Sequence, residues 1–134
     1  ELIKQAPKDT GVIQLCVIYS AINRNKLWYN QPTFFKWGTI PNVGSCLAYI
    51  ISRECAIQLY KYFETIKSFL LPPSDSRRGI YGNVNDYTDY TAYTYKFPMF
   101  TYRDNNDTQL DNCLNNQEAS KRQVAYFLKN QVSH

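Results

Sequence analysis

The side chains best suited to chemistry lie in one polar tract, residues 74–90 (SDSRRGIYGNVNDYTDY). Its acids and arginines are Asp75, Arg77, Arg78, Asp86 and Asp89. A carboxylate can take a proton from a hydroxyl within hydrogen-bond reach, and a guanidinium group can bind a phosphate or another carboxylate. The pattern predicts a polar loop that presents acid–base and anion-binding groups. The alternative for each of these side chains is a solvated position on the loop surface.

A predicted strand and helix lead into this tract. Residues 47–51 (LAYII) predict a buried strand, and a helix follows to about residue 70. Ser52 has the side chain to cap the first turn, and Glu54 is favourably placed near the positive end of the helix dipole. The predicted apolar face is Ala56, Leu59, Tyr60, Phe63, Ile66 and Leu70. Pro72 and Pro73 end the helix because they cannot donate the backbone hydrogen bond that continuation needs.

Two small residues, Gly44 and Ser45, precede the strand at 47–51. Small residues allow a ligand or another backbone to approach closely. The junction is therefore a candidate binding position, and the alternative is that Gly44 simply turns the chain.

The remaining elements complete an α/β pattern. Residues 12–18 (VIQLCVI) predict a central strand that is buried on both faces. Residues 21–42 predict a long aromatic loop, which is either packed or binds something. Residues 91–103 favour a strand that Pro98 breaks or marks as an edge, and residues 117–130 predict a terminal helix. With 134 residues, the chain is expected to form a single domain.

Charge and composition exclude several classes of function. The net charge of +4 is modest and dispersed, and no recognition motif accompanies the aromatic residues, which disfavours nucleic acid as a partner. The sole histidine, His134, is terminal, and the four cysteines lack metal-ligand spacing, which argues against a zinc site or a histidine triad. Buried free thiols are expected instead. No signal peptide or membrane span is predicted, so localisation is left between viral and intracellular.

Six pieces of the chain follow one another in a recognisable order and spacing. They are Pro7 with VIQLCVI, Gly44-Ser45, Ala48-Tyr49-Ile50-Ile51-Ser52-Arg53 with Ala56, Leu71-Pro72-Pro73-Ser74-Asp75, Phe97-Pro98 and Asn106-Asp107-Thr108. In this order they resemble the second half of the catalytic domain of glycosyltransferase family 25, which includes bacterial lipooligosaccharide and collagen galactosyltransferases, with relatives in giant viruses. Cys55 departs from the family's usual glycine. The resemblance covers about residues 2–112.

The resemblance implies a GT-A-like mixed sheet flanked by helices, forming the acceptor-side part of a longer chain. It also implies transfer of a hexose from a nucleotide sugar to a hydroxyl of a glycan or protein acceptor, with inversion at the anomeric carbon. Asp75 is then the preferred catalytic base, and Asp86 and Asp89 are reserve acids. A divalent metal, manganese or magnesium, is expected in the full-length enzyme, with its ligands in the first half of the family's domain. This fragment alone is expected to be inactive.

Aromatic residues of the 21–42 segment could contact the acceptor, because the C–H faces of a sugar ring suit a flat aromatic surface. Trp28 and Trp37 are the candidates, and core packing is the alternative for most of the others. A second hypothesis for the whole chain is a non-catalytic structural or glycan-binding module in a virus particle or large assembly. The high content of Asn, Tyr, Lys and Ile is typical of AT-rich genomes, including those of giant viruses.

Overall fold

The computed structural model describes residues 1–16, 26–40, 48–66, 79–97, 99–100, 125 and 128–129. Their strands are β1 (Thr10–Gln14), β2 (Phe34–Lys36), β3 (Tyr49–Ile51) and β4 (Thr91–Tyr95). Their helices are α1 (Leu2–Gln5), α2 (Lys26–Tyr29), α3 (Arg53–Ile66) and α4 (Gly79–Tyr87). None of the helices in these ranges has the length and apolar character needed to cross a membrane.

The four strands form one mixed sheet in the order β2-β4-β1-β3. The central pair, β1 and β4, is parallel, whereas each edge strand is antiparallel to its neighbour. A parallel pair needs a crossover connection, and here α3 and α4 lie in the chain between the two strands. The α/β prediction is therefore confirmed.

Apolar side chains cover both faces of the sheet. On one face, Val12 and Ala92 pack beneath α3 and α4 in a cluster with Cys55, Leu59, Tyr81 and Val84. On the opposite face, Ile13 and Leu15 pack with Tyr95 and Phe97, and Leu2 and Ala6 rest against them. This two-sided burial confirms β1 as a central strand, although its strand pairing ends at Gln14 and residues 17–18 lie outside the described residues.

The predicted start of α3 is confirmed. The Cys55 N–H donates to Ser52 Oγ at 3.2 Å, so the serine side chain satisfies an amide of the first turn. Glu54 lies in that turn, as expected. The predicted apolar face was wrong at Tyr60, which is 60% exposed, whereas Cys55 and Leu59 are buried. The buried face is rotated because a small thiol, and not the tyrosine, faces the sheet.

Two predicted loops contain regular structure. The 21–42 segment includes α2 and β2, and β2 forms because Phe34 and Phe35 pair with the end of β4. The polar tract 74–90 includes α4, where Tyr81 and Val84 recur at helical spacing and are buried, while Asp86 is exposed. The helix was not predicted because the glycines and asparagines around these two residues favour a loop.

The strand predicted at 47–51 exists over Tyr49–Ile51, but it is an edge strand and is half-exposed, which corrects the prediction of a buried one. An apolar run does not reveal whether a strand has one neighbour or two. The strand predicted at 91–103 is present as β4, and the chain bends at Lys96 and Phe97 just before Pro98. Of the predicted terminal helix, the described residues Ala125, Leu128 and Lys129 are helical.

Candidate functional site

Five of the predicted site residues, Gly44, Ser45, Asp75, Arg77 and Arg78, lie outside the described residues. Trp28, Trp37, Asp86 and Asp89 are described. The described residues resume shortly after each of the first five. Residue 48 is the first described residue after Gly44 and Ser45, and residue 79 is the first after Asp75, Arg77 and Arg78.

β3 and α4, the elements that begin at residues 49 and 79, both start at the carboxyl end of the central strands β1 and β4. β3 is antiparallel to β1, so its first residue, Tyr49, pairs with the last residue of β1, Gln14. α4 also begins at that end, because Tyr81 contacts Tyr49 while Val84, one turn later, lies at the Gly11 end of β1. In open α/β sheets, ligands bind at the carboxyl ends of the strands. This end is therefore the candidate site.

Three aromatic rings pack together on the helix-covered face, and Tyr49 is the one that lies at the carboxyl end of β1. The Tyr81 ring lies between the other two, with its centroid 6.2 Å from that of Tyr49 and 5.7 Å from that of Trp37. Tyr81 is buried and Trp37 is partly buried, whereas Tyr49 is 41% exposed. The exposed ring of Tyr49 can offer a flat apolar surface to a sugar, held in orientation by the buried ring behind it.

A buried polar pair lies at the same end of the sheet. Gln14 and Thr94 are register partners on β1 and β4, and the Thr94 hydroxyl donates to Gln14 Oε1 at 2.9 Å. Both side chains are fully buried. The hydrogen bond joins the two central strands where they end. Removing either side chain would leave a buried polar group without this partner, which lowers the free energy of unfolding. The sequence signal was the glutamine inside an otherwise apolar run.

Asp86 and Asp89 lie towards the other end of α4. The helix has nine residues and so separates its two ends by roughly 12 Å. Asp89 is bound to Gln58 of α3, since Gln58 Nε2 donates to Asp89 Oδ2 at 3.2 Å and the Asp89 N–H donates to Gln58 Oε1 at 2.9 Å. Asp89 therefore joins α3 to the entry of β4, and the structure does not bring it to the carboxyl end of the sheet.

Trp28 is a core residue. Its side chain is fully buried and its ring meets Phe35 edge-on, with centroids 5.3 Å apart. Its indole N–H has no acceptor among the described residues. A buried ring offers no face to an acceptor sugar. The other predicted tryptophan, Trp37, follows β2 at the level of Ala92, and its ring contacts that of Tyr81.

An acid and a phenol are linked at the amino end of the central strands. The Tyr93 hydroxyl donates to Asp9 Oδ1 at 3.0 Å, and the Thr91 N–H donates to the Asp9 carbonyl at 2.9 Å. A hydrogen bond from the Thr91 side chain, with a further one from Tyr93, holds the pKa of Asp9 below its ordinary value, although burial opposes this. Burial and the bond to Asp9 raise the pKa of Tyr93. This pair fastens the turn before β1 to β4.

Metal ligands are not grouped in the described part of the chain. No set of three His, Cys, Asp or Glu side chains there could hold a metal ion, so no step of a reaction is assigned to a metal bound by these residues. Cys16 and Cys55 are buried thiols that form no disulfide, as predicted, while Cys46 and Cys113 lie outside the described residues. Burial raises the pKa of Cys55, which keeps its thiol protonated.

Comparison with known proteins found no matching family model, no matching curated protein and no matching solved structure. The resemblance to glycosyltransferase family 25 therefore rests on the residues that suggested it.

Proposed function

We propose that this chain is the acceptor-side half of an inverting, nucleotide-sugar-dependent glycosyltransferase that moves a hexose to an acceptor hydroxyl. The observation that supports this best is the contact between Tyr49 and Tyr81 at the carboxyl end of β1. It brings together the entry points of the two segments that carry Ser45 and Asp75. Those segments carry two of the pieces on which the family resemblance rests, Gly44-Ser45 and Leu71-Pro72-Pro73-Ser74-Asp75, and the resemblance implies a GT-A-like fold.

In the proposed reaction, the acceptor hydroxyl oxygen attacks the anomeric carbon of the donor sugar. The bond from that carbon to the diphosphate breaks, and the nucleoside diphosphate leaves with the electron pair. The Asp75 carboxylate takes the hydroxyl proton as the new bond forms. Arg77 and Arg78 stabilise the charge on the departing diphosphate, since guanidinium groups bind phosphate oxygens in a bidentate manner.

Acceptor binding is assigned to the exposed ring of Tyr49, supported by Tyr81 and Trp37. Stacking of this kind contributes about 0.5–1.5 kcal/mol beyond burial. Replacing Tyr49 with alanine should therefore weaken acceptor binding by roughly 3- to 10-fold. Tyr60 is the matched control, because it is an exposed tyrosine on the outer side of α3.

The test uses the complete natural protein that contains this chain. Release of nucleoside diphosphate is measured from a panel of nucleotide sugars, with and without manganese and with simple glycosides as acceptors. Acceptor-dependent release supports the proposal, as does a raised acceptor KM in Tyr49→Ala but not in Tyr60→Ala. Glycan binding without donor turnover would overturn it in favour of the non-catalytic glycan-binding module.

A further inference from the structure

An apolar groove runs along the face of the sheet opposite α3 and α4. Leu15, Ala48 and Ile50 line it together with α1 on one side and Met99 and Phe100 on another, and they enclose a cavity of about 510 Å³. Several of these side chains are unusually exposed for their type: Ile3 is 65%, Met99 52% and Phe100 50% exposed. Large apolar side chains that remain exposed around one cavity mark a binding surface.

A second cavity of about 450 Å³ continues the groove towards the amino end of β1 and shares Ile3 and Ile50 with the first. Its character differs, because Lys4 and Lys8 line it and no acidic residue does. Neither lysine has an ion-pair partner among the described residues. Thr10 also lines this cavity, and its hydroxyl is buried without a hydrogen-bond partner in the described part of the chain.

The groove is therefore apolar at one end and basic at the other. We propose that it binds a single-chain amphiphile as a monomer, with the alkyl or acyl chain in the apolar cavity and an anionic head group beside Lys4 and Lys8. Each cavity falls within the roughly 300–1,000 Å³ range of small-molecule sites. Glu1 lines the apolar cavity and not the basic one, which favours an anionic head group in the cavity that Lys4 and Lys8 line. Tyr49 also lines the apolar cavity, so this site adjoins the acceptor position of the proposed function, but the binding measured below requires no sugar transfer.

The test is calorimetric titration of the chain Glu1–His134 with decyl phosphate, kept below its micelle-forming concentration. Saturable binding at one site is expected, with much weaker binding of decyl maltoside and none of inorganic phosphate. Replacing both lysines, Lys4→Gln with Lys8→Gln, should weaken binding of decyl phosphate about fivefold through loss of charge pairing. Amide NMR shifts should move at Leu15, Ala48 and Ile50.

A surface variant tests the apolar end without risk to the core. Ile3→Asn should weaken binding by about 5- to 10-fold, whereas Ile57→Asn, at an isoleucine on α3 that is also exposed, should not change it. The proposal is overturned if Ile3→Asn binds as tightly as the unmodified chain, if inorganic phosphate binds equally well, or if binding is seen only with anionic vesicles. The last result would indicate a membrane surface and not a monomeric ligand.

Discussion

Gly11 lies where β1 meets both packed helices, and replacing it with alanine should destabilise the fold markedly. A Cβ added there would lie 2.5 Å from Tyr90 Cβ, 2.7 Å from Cys55 Sγ and 3.1 Å from Val84 Cγ1. The closest atom is joined directly to the backbone, so it cannot move aside by rotating. We therefore take the upper end of the overpacking range, about 3 kcal/mol. Alanine also lowers the conformational entropy of the unfolded chain, which stabilises the protein by about 0.7 kcal/mol. The free energy of unfolding should therefore fall by about 2 kcal/mol in total.

The assay is thermal and urea unfolding of the chain followed by circular dichroism. A loss of about 2 kcal/mol corresponds to a fall in Tm of roughly 6–10 °C for a domain of this size. Cys55→Ala removes one of the three clashes, so it should recover part of the loss and give a coupling of about 1 kcal/mol with Gly11→Ala. A Gly11→Ala chain within about 0.5 kcal/mol of the unmodified one would refute the packing argument.

A glycine without neighbours is the matched control. Gly38 has φ +92°, and among the described residues no atom lies within 4 Å of a Cβ added to it. Gly38→Ala should lose about 1–2 kcal/mol through backbone strain alone. That loss should not change when Cys55→Ala is added, because the two residues share no contact.

Three further predictions concern other contacts. Ser52→Ala removes the side-chain acceptor for the Cys55 N–H and should lower the unfolding free energy by about 1 kcal/mol, as measured in urea, whereas Ser52→Asp should retain most of it. Thr94→Val leaves Gln14 Oε1 without this buried donor and should cost about 1–3 kcal/mol, and a cost near zero would show that the pair is not structural. The depressed pKa of Asp9 contributes stability above its ordinary value of 3.8 that is lost as pH falls through the folded value. Asp9→Asn should therefore flatten the acid limb of a stability–pH curve, and an unchanged limb would contradict the role of the hydrogen bonds from Thr91 and Tyr93.

The sequence was sufficient to predict the features that depend only on neighbouring residues. The apolar run containing Val12 and Ile13 predicted a central strand, because burial on both faces requires apolar residues at every position. Ser52 predicted the start of α3, since capping depends on a few neighbouring residues. The sequence did not show the partners of these elements, and so it placed β3 inside the sheet and not at its edge.

α4 and the apolar face of α3 could not be predicted because their signals are tertiary. α4 contains Gly82 and two asparagines, which favour loops, and it is helical because Tyr81 and Val84 pack on the sheet. Tyr60 was assigned to the apolar face from its spacing, but it is exposed. The face of α3 that packs on the sheet includes Cys55, whose small side chain lies beside Gly11 of β1.

The sequence predicted candidate site residues but not which of them are covered. Trp37 contacts Tyr81, whereas Trp28 is a core residue, because an aromatic segment gives no indication of which ring is covered. Tyr49 and Tyr81 were not singled out, since the contact between them depends on the antiparallel pairing of β3 with β1. The roles of Asp75, Ser45 and the two arginines stay predictions.

The most direct test of sugar transfer compares the rates of hexose transfer by the complete protein carrying Asp75→Asn with those carrying Glu64→Gln, a substitution at an exposed acid on α3. Both variants should retain the unfolding temperature of the unmodified protein. We expect the first to lose at least about 100-fold in transfer rate, as removal of a general base does, and the second to be unchanged. Equal rates in the two variants would contradict the assignment of Asp75 as the group that takes the acceptor's proton.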